Sequence, residues 1–521
     1  MTTQSPDIEA ITKGYTFDKP SIELGVLIND GAALPDTKIR ISLSMLNRHG
    51  LVAGATGTGK TKTLQLMAEQ ISKAGVAVFA ADIKGDLSGI ALPGTPSEKL
   101  LARTQAIGQE WRPEGNPVEF YTLGGAGTGV PLRATISSFG PILLSKVLGL
   151  NETQESSLGL VFHFCDVNGL PLLDLEDLRS VLAYLTSDEG KPELKNLGGL
   201  SAATAGVILR SLVTLQTQGA DEFFGEPEFD TRDLIRTTAS GQGVISLLEL
   251  PNLQDRPAIF STFLMWLLAD LFHDLPEVGD VDVPKLVFFF DEAHLLFKDA
   301  SKAFRDAIAQ TVRLIRSKGV GIFFVTQTPK DVPEEVLAQL GSRVQHQLRA
   351  HTPNDAKALR ATVATYPNSG YDLEETLTML GIGEAIVTVL NPNGAPTPVA
   401  WTRMRAPQAS MEPMPTPMMA GGVAQSAMMG KYGTEINRDS AYEMLARKLQ
   451  AGAERAAQEA EEAARAKEEA QAAKAAPRGT TSSRRQPMDP VTKVLSSPTF
   501  WNKVITVGGQ IARGMMGTGR K

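Results

Sequence analysis

Residues 50–61 constrain this chain more than any other stretch. Gly54-Ala55-Thr56-Gly57-Thr58-Gly59-Lys60-Thr61 satisfies the spacing G-x-x-x-x-G-K-[ST] in full, and that spacing has a physical demand attached. Glycines let the backbone curl until successive N–H groups face inward as a cradle for phosphate oxygens, and a following helix adds the positive end of its dipole. The flanks supply both elements. The apolar run Gly50-Leu51-Val52-Ala53 reads as a strand, and Thr63 to Ala74 has helical period. Gly54, Ala55, Thr56, Gly57, Thr58, Gly59, Lys60, Thr61 and Thr63 are therefore the candidate nucleotide-binding residues. In such a loop the lysine reaches the outer phosphates of ATP and the Thr61 hydroxyl takes a place on Mg²⁺. A flexible Gly/Thr turn is the competing explanation, and the strand-turn-helix context weighs against it.

A second apolar run, Val76-Ala77-Val78-Phe79-Ala80-Ala81-Asp82, suits a parallel strand buried on both faces and completes a β-loop-α-β unit. It leaves through Asp82-Ile83-Lys84-Gly85-Asp86 at the strand's carboxyl end, where ligands collect in open α/β sheets. Those carboxylates fit a supporting place near the nucleotide, a subunit contact, or an ordinary turn equally well. Leu286-Val287-Phe288-Phe289-Phe290-Asp291-Glu292 has the form of a Walker B strand. Asp291 at its tip is the second metal candidate beside Thr61. Glu292 is placed to take a proton from the attacking water, or to orient it. A third buried run, Val320 to Val325, ends in Thr326-Gln327, which puts Gln327 where it can sense the γ-phosphate or the water by hydrogen bonding. Lys60, Glu292 and Gln327 are thus the catalytic candidates. Arg313 and Arg316 precede this strand and suit a guanidinium supplied to a neighbouring subunit's nucleotide. A solvated helix face accounts for them almost as well.

The remaining chain fills in around these motifs. Residues 1–50 hold short strands, Ile22 to Ile28 and Ile39 to Leu43, laid onto a core made of 51–94 and 243–405. Between them, 95–242 reads as a mostly helical insertion with two strand candidates, Val118 to Leu123 and Gly124 to Gly129. His163 lies among apolar neighbours with no second ligand at metal spacing, so it reads as a core or surface histidine. Residues 406–439 shift to Pro, Met, Gly and Ala, the composition of a linker or extended arm. Residues 440–476 are Ala/Glu/Lys/Arg-rich without sustained apolar heptads, which favours one long solvated helix over a coiled coil.

Composition sets limits. Of 521 residues, 42% are apolar and 21% charged, enough for a large core. The one cysteine, Cys165, excludes an intramolecular disulfide and points to a reducing compartment. Net charge is −7, unevenly placed: from Pro477 to Lys521 eight Lys/Arg oppose one acid, so this tail carries +7 and residues 1–476 carry −14. The tail, with Phe500-Trp501, has the basic-aromatic mixture of a nucleic-acid contact or of a helix docked on its own protein. Residues 1–14 lack a basic-then-apolar pattern, and the most apolar window, Ile259 to Phe272, spans 14 residues and contains Asp270. No signal peptide, no membrane span and a cytoplasmic protein are the expectation.

Taken together, the loop Gly54–Thr61, Phe290-Asp291-Glu292-Ala293-His294 and Arg316-Ser317-Lys318-Gly319-Val320-Gly321-Ile322-Phe323-Phe324-Val325-Thr326-Gln327 resemble the HerA/FtsK group of P-loop motor ATPases, in its HerA-like helicase (YjgR-like) branch. The resemblance covers about residues 15–405 and the ending around Phe500-Trp501-Asn502-Lys503. It implies an α/β fold: a RecA-like P-loop NTPase core with a mainly parallel sheet, here carrying a helical insertion and a C-terminal helical arm. It also implies a homo-oligomeric, usually hexameric, ring that couples ATP hydrolysis to movement of double-stranded DNA. By position Arg316 matches the arginine acting in trans, with Arg313 and Arg343 as further candidates. Two departures stand out. The 50 residues before the motor are too few for the β-barrel that HerA carries there, and residues 1–476 are acidic with no nucleic-acid-reading module. A ring ATPase acting on protein, and a nucleotide-dependent assembly protein, are the rival readings. The C-terminal arm is a candidate docking segment for an unidentified protein partner.

Overall fold

Twelve strands form one sheet in the computed structural model, which describes residues 7–250, 257–298 and 302–474. In chain order they are β1 (Ser21–Asn29), β2 (Ala32–Ser42), β3 (Gly50–Ala53), β4 (Ala77–Asp82), β5 (Val118–Leu123), β6 (Val130–Leu132), β7 (Ile245–Glu249), β8 (Leu286–Phe290), β9 (Val320–Thr326), β10 (Ser342–Gln345), β11 (Glu384–Thr388) and β12 (Ala400–Met404). Their spatial order is β2-β1-β12-β11-β10-β3-β9-β8-β4-β7-β5-β6. The eight from β10 to β6 run parallel, and β11, β12, β1 and β2 extend the sheet antiparallel.

The central strands are apolar without alternation because both faces are covered. Every residue of β3, β4, β7, β8 and β9 is buried. Phenylalanines fill the layer on either side: Phe79 meets Phe288 at 5.0 Å, Phe289 meets Phe323 at 5.4 Å, and Phe290 meets Phe324 at 5.7 Å between ring centroids. One strand, β9, lies between the loop strand β3 and the Walker B strand β8. The register pairs Ala53 with Thr326, Phe290 with Phe324, Ala81 with Phe290, and Asp82 with Glu249. The loops after all these strands therefore open on one edge of the sheet, where the site lies.

Three helices hold the faces. Lys60–Lys73 follows the loop directly. Pro257–Asp274 is apolar nearly throughout and is buried between sheet and insertion; its Trp266 stacks on Phe139 and donates its indole N–H to Ser138 Oγ at 3.2 Å. Lys302–Ile315 is amphipathic, burying Phe304, Ile308, Val312 and Ile315 at helical spacing.

The helical excursion is narrower than residue patterning alone implied. Its helices are Ile136–Val147, broken by a kink at Gly140, then Glu152–Asn168, Leu175–Thr186 and Ala202–Thr217, while β5 and β6, inside the same stretch, belong to the main sheet. The Gly-rich segment after Val118–Leu123 is a turn rather than a strand, and β6 begins only at Val130. The N-termini of Glu152–Asn168 and Leu175–Thr186 are marked by reciprocal caps, Asn151 with Gln154 and Asp174 with Asp177. His163 is exposed and Cys165 buried.

Within residues 406–439, read from composition as a linker or extended arm, 406–432 form an ordered strap on the body. Glu69, on the loop helix, accepts the N–H groups of Gln408 and Ala409, both at 2.8 Å; Gln109 and Trp111 donate to the carbonyls of Ala406 and Pro407; and Tyr432 is buried with its hydroxyl on Asp233. Residues 406–409 of the strap are held by their backbone polar groups, which every sequence possesses. The long helix runs Ala441–Lys474. The chain divides into two compact units at Leu449/Gln450. In the first unit, Ala441 and Leu445 of this helix are buried; in the second, Gln450 to Glu469 is exposed throughout. The basic tail and Phe500-Trp501 lie outside the described residues. Among the described residues no helix is long and apolar enough to cross a membrane.

Candidate active site

The phosphate loop takes the conformation its glycines permit. Gly57 and Gly59 sit at φ +82° and +116°, left-handed values that favour glycine. Gly54 is required for a different reason: a Cβ there would fall 2.5 Å from the Cβ of His346. The loop is braced by its own carbonyl of Ala55, which accepts from Thr58 Oγ1 at 2.7 Å and from Lys60 Nζ at 3.1 Å. Lys60 is buried, and desolvation, the largest influence on it, lowers its pKa against the opposing pull of Glu292 and Asp291. Thr61 is half-buried in the first helical turn. Thr63, grouped with the loop from the sequence, has its hydroxyl 2.9 Å from His346 Nε2 instead.

His346 gave no signal in the sequence. It follows β10, the strand beside β3, and is fully buried behind the loop. Its Nδ1 lies 2.8 Å from the Glu384 carbonyl, which can only accept, so Nδ1 carries the proton and Nε2 accepts from Thr63. Burial lowers its pKa to about 4 and keeps it neutral. Arg349, equally silent in the sequence, donates to the Thr56 carbonyl at the loop tip at 3.3 Å.

Across the crevice, Asp291 Oδ1 accepts the N–H of Glu292 at 2.9 Å. Its other oxygen, Oδ2, is buried and has no partner. Burial first, and the Glu292 charge second, push this carboxyl up to about 7. A buried carboxylate with a free oxygen beside a phosphate loop is a fitting ligand for a hard divalent cation, which would draw it back to the ionised form. Glu292 is buried as well, and its backbone stands at φ +48°. Its two carboxylate oxygens face two side chains: Lys84 Nζ at Oε1, and His294 Nδ1 at Oε2, 3.1 Å away. Burial alone would raise Glu292, but the contacts of His294 and Lys84 outweigh it and hold the group at about 2. Contact with Glu292 in turn raises His294.

The Asp82 segment is a built loop. Asp82 Oδ1 accepts the N–H groups of Lys84, Gly85 and Asp86 at 3.1, 2.7 and 3.3 Å, and Oδ2 accepts that of Leu87 at 2.7 Å. The outcome of this turn is that Lys84 is delivered to Glu292.

Gln327 is exposed immediately after β9, while Thr326 before it is tied to Asp331 at 2.7 Å. The arginines lie elsewhere. Arg313 and Arg316 are exposed just before β9, at the opposite end of the strands, roughly 20 Å from the loop by strand rise. They cannot serve this chain's own nucleotide. Arg343 donates to Thr365 and lies 5.9 Å over the Tyr366 ring, so its guanidinium is engaged within its own chain.

With this geometry, comparison with known proteins is informative. The helicase HerA-like C-terminal family model matches residues 28–521. The chain belongs to this HerA-like family. Among characterised proteins, the HerA-like chain is 23% identical over 377 residues to the DNA double-strand break repair helicase HerA of Sulfurisphaera tokodaii, covering 71% of this chain and 67% of that one. It is 33% identical over 153 residues to a probable helicase of Methanocaldococcus jannaschii, covering 27% and 28%. Its fold is similar to that of the bacterial conjugative coupling protein TrwB, with a TM-score of 0.51 at 14% identity over 79% of this chain and 95% of that one. The HerA-like chain thus spans about two thirds of the length of the first-named relative.

Proposed function

We propose that this HerA-like chain is a Mg²⁺-dependent ATPase that works in the cytoplasm as a hexameric ring and moves along double-stranded DNA. The observation that carries the ATPase reading is the unpartnered, buried Asp291 Oδ2 beside Glu292 and the Lys60 loop. The helicase family and its DNA-helicase relative support DNA as the substrate.

The residues divide the work. Backbone N–H groups of Gly57 to Lys60 receive the phosphates, and Lys60 answers their charge. Thr61 and Asp291 would hold the Mg²⁺, which supplies charge neutralisation on the phosphate oxygens. Glu292 takes the proton of the attacking water, and Gln327 orients that water. Arg316 of one subunit stabilises the developing charge at the next subunit's site. That role is consistent with its exposed place on the far rim of its own sheet.

The test is steady-state ATP hydrolysis with and without double-stranded DNA, with the mass of the assembly measured in parallel. The wild-type chain is expected to turn over ATP faster with DNA and to run as a hexamer. Lys60→Ala and Glu292→Gln are expected to abolish turnover. Wild-type rates in either variant would refute the site. An absence of DNA stimulation across DNA lengths and salt concentrations would replace DNA with a protein substrate.

A further inference from the structure

We propose that Lys84 is a positioning residue for hydrolysis: it restrains the Glu292 carboxylate until a phosphate group draws its ammonium away. The inference deepens the ATPase reading and rests on it.

Three features carry it. The first is the construction of the loop. Four backbone N–H groups converge on the Asp82 carboxylate, and Gly85 turns at φ +74°. The base of Lys84 is therefore fixed next to the tip of β8. Its stem is less confined: the side chain is 40% exposed.

The second is the state of Glu292. A glutamate at φ +48° has a conformation that non-glycine residues adopt only where the surroundings impose it. Lys84 and His294 occupy one carboxylate oxygen each. A carboxylate flanked in this way is a poor acceptor for a water proton, because the charge that makes it a base is already answered.

The third is the location. Lys84 lies on the edge where the phosphate loop opens, and Lys60 senses its charge. An ammonium is a compact point charge on a flexible stem, well suited to transfer from a carboxylate to a phosphate oxygen. Once it transfers, Glu292 keeps only His294 and regains an oxygen for water. The phosphate is that of the DNA backbone, because the γ-phosphate is present in every turnover and would leave no restraint on the DNA-free rate.

The experiment uses the full-length protein and measures kcat and KM for ATP with and without duplex DNA, together with ADP affinity, for wild type, Lys84→Ala and Lys84→Arg. Lys84→Ala is expected to raise the DNA-free kcat about fivefold, the scale of losing a half-exposed ion pair, and Lys84→Arg to restore the wild-type rate. An unchanged KM with loss of DNA stimulation identifies the DNA backbone as the source. A raised KM for ATP with unchanged ADP affinity shows Lys84 on the γ-phosphate instead and overturns release by the DNA backbone. A DNA-free kcat that stays level or falls in Lys84→Ala overturns the proposal while leaving the ATPase reading standing. Wild-type protein that hydrolyses no ATP under any condition overturns both.

Discussion

Asp82 and Asp291 end neighbouring parallel strands, β4 and β8, and both are buried, yet the structure uses them in opposite ways. Asp82 commits both oxygens to four backbone N–H groups of its own loop. Asp291 commits one oxygen to the next residue and leaves the other without a partner. Burial raises both, Asp82 to about 6 and Asp291 to about 7. The difference teaches that a carboxylate at a strand tip is a candidate ligand only if its own turn does not consume it. Asp82 shapes the backbone, and Asp291 remains available for chemistry.

Substitution separates the two roles. The largest expected effect is Asp291→Ala: ATP hydrolysis falls by about 10²-fold or more, whereas stability measured by urea unfolding without Mg²⁺ changes by less than about 1 kcal/mol. Asp82→Ala should do the reverse. Losing four charge-assisted hydrogen bonds costs about 2–4 kcal/mol in the same unfolding measurement. Equal destabilisation by the two variants would break the comparison.

The smallest effect sharpens it through a third tip. Glu249 ends β7 opposite Asp82 in register, and its Oε1 has no partner. Burial first, then the charges of Asp82 and Asp86, push it from 4.5 to about 8. The folded state holds this proton where the unfolded chain has released it. Its contribution to stability is therefore full below about pH 4.5 and is lost as pH rises through about 8. Glu249→Gln, which cannot ionise, should be more stable than wild type by about 1–3 kcal/mol near pH 8.5 and nearly equal to it near pH 5. A gain of the same size at both pH values would show that packing, rather than charge, governs this tip.

The same contrast explains what was legible in the residues. Gly54–Thr61 could be read because a left-handed turn and a close approach select glycine locally. The buried strands could be read because uninterrupted apolar runs have few other uses in an open sheet. Asp82-Ile83-Lys84-Gly85-Asp86 was readable only as a set of equal alternatives, since nothing within five residues says what Lys84 will face. The start of the strap at 406–432 was hidden for a related reason: its anchors at 406–409 are carbonyls and amides, while the side chains that grip them, Glu69, Gln109 and Trp111, lie hundreds of positions earlier.

The sequence by itself determined that this chain has a phosphate loop, a Walker B strand and a mainly parallel α/β sheet, because those depend on short-range backbone preference and on the period of apolar residues. Only the tertiary structure decided that His346 braces Thr63 across 283 positions, that Lys84 and His294 hold Glu292, and that Arg316 faces away from its own nucleotide site. Those pairings follow from the order of strands in the sheet, which sets neighbours by topology rather than by separation along the chain.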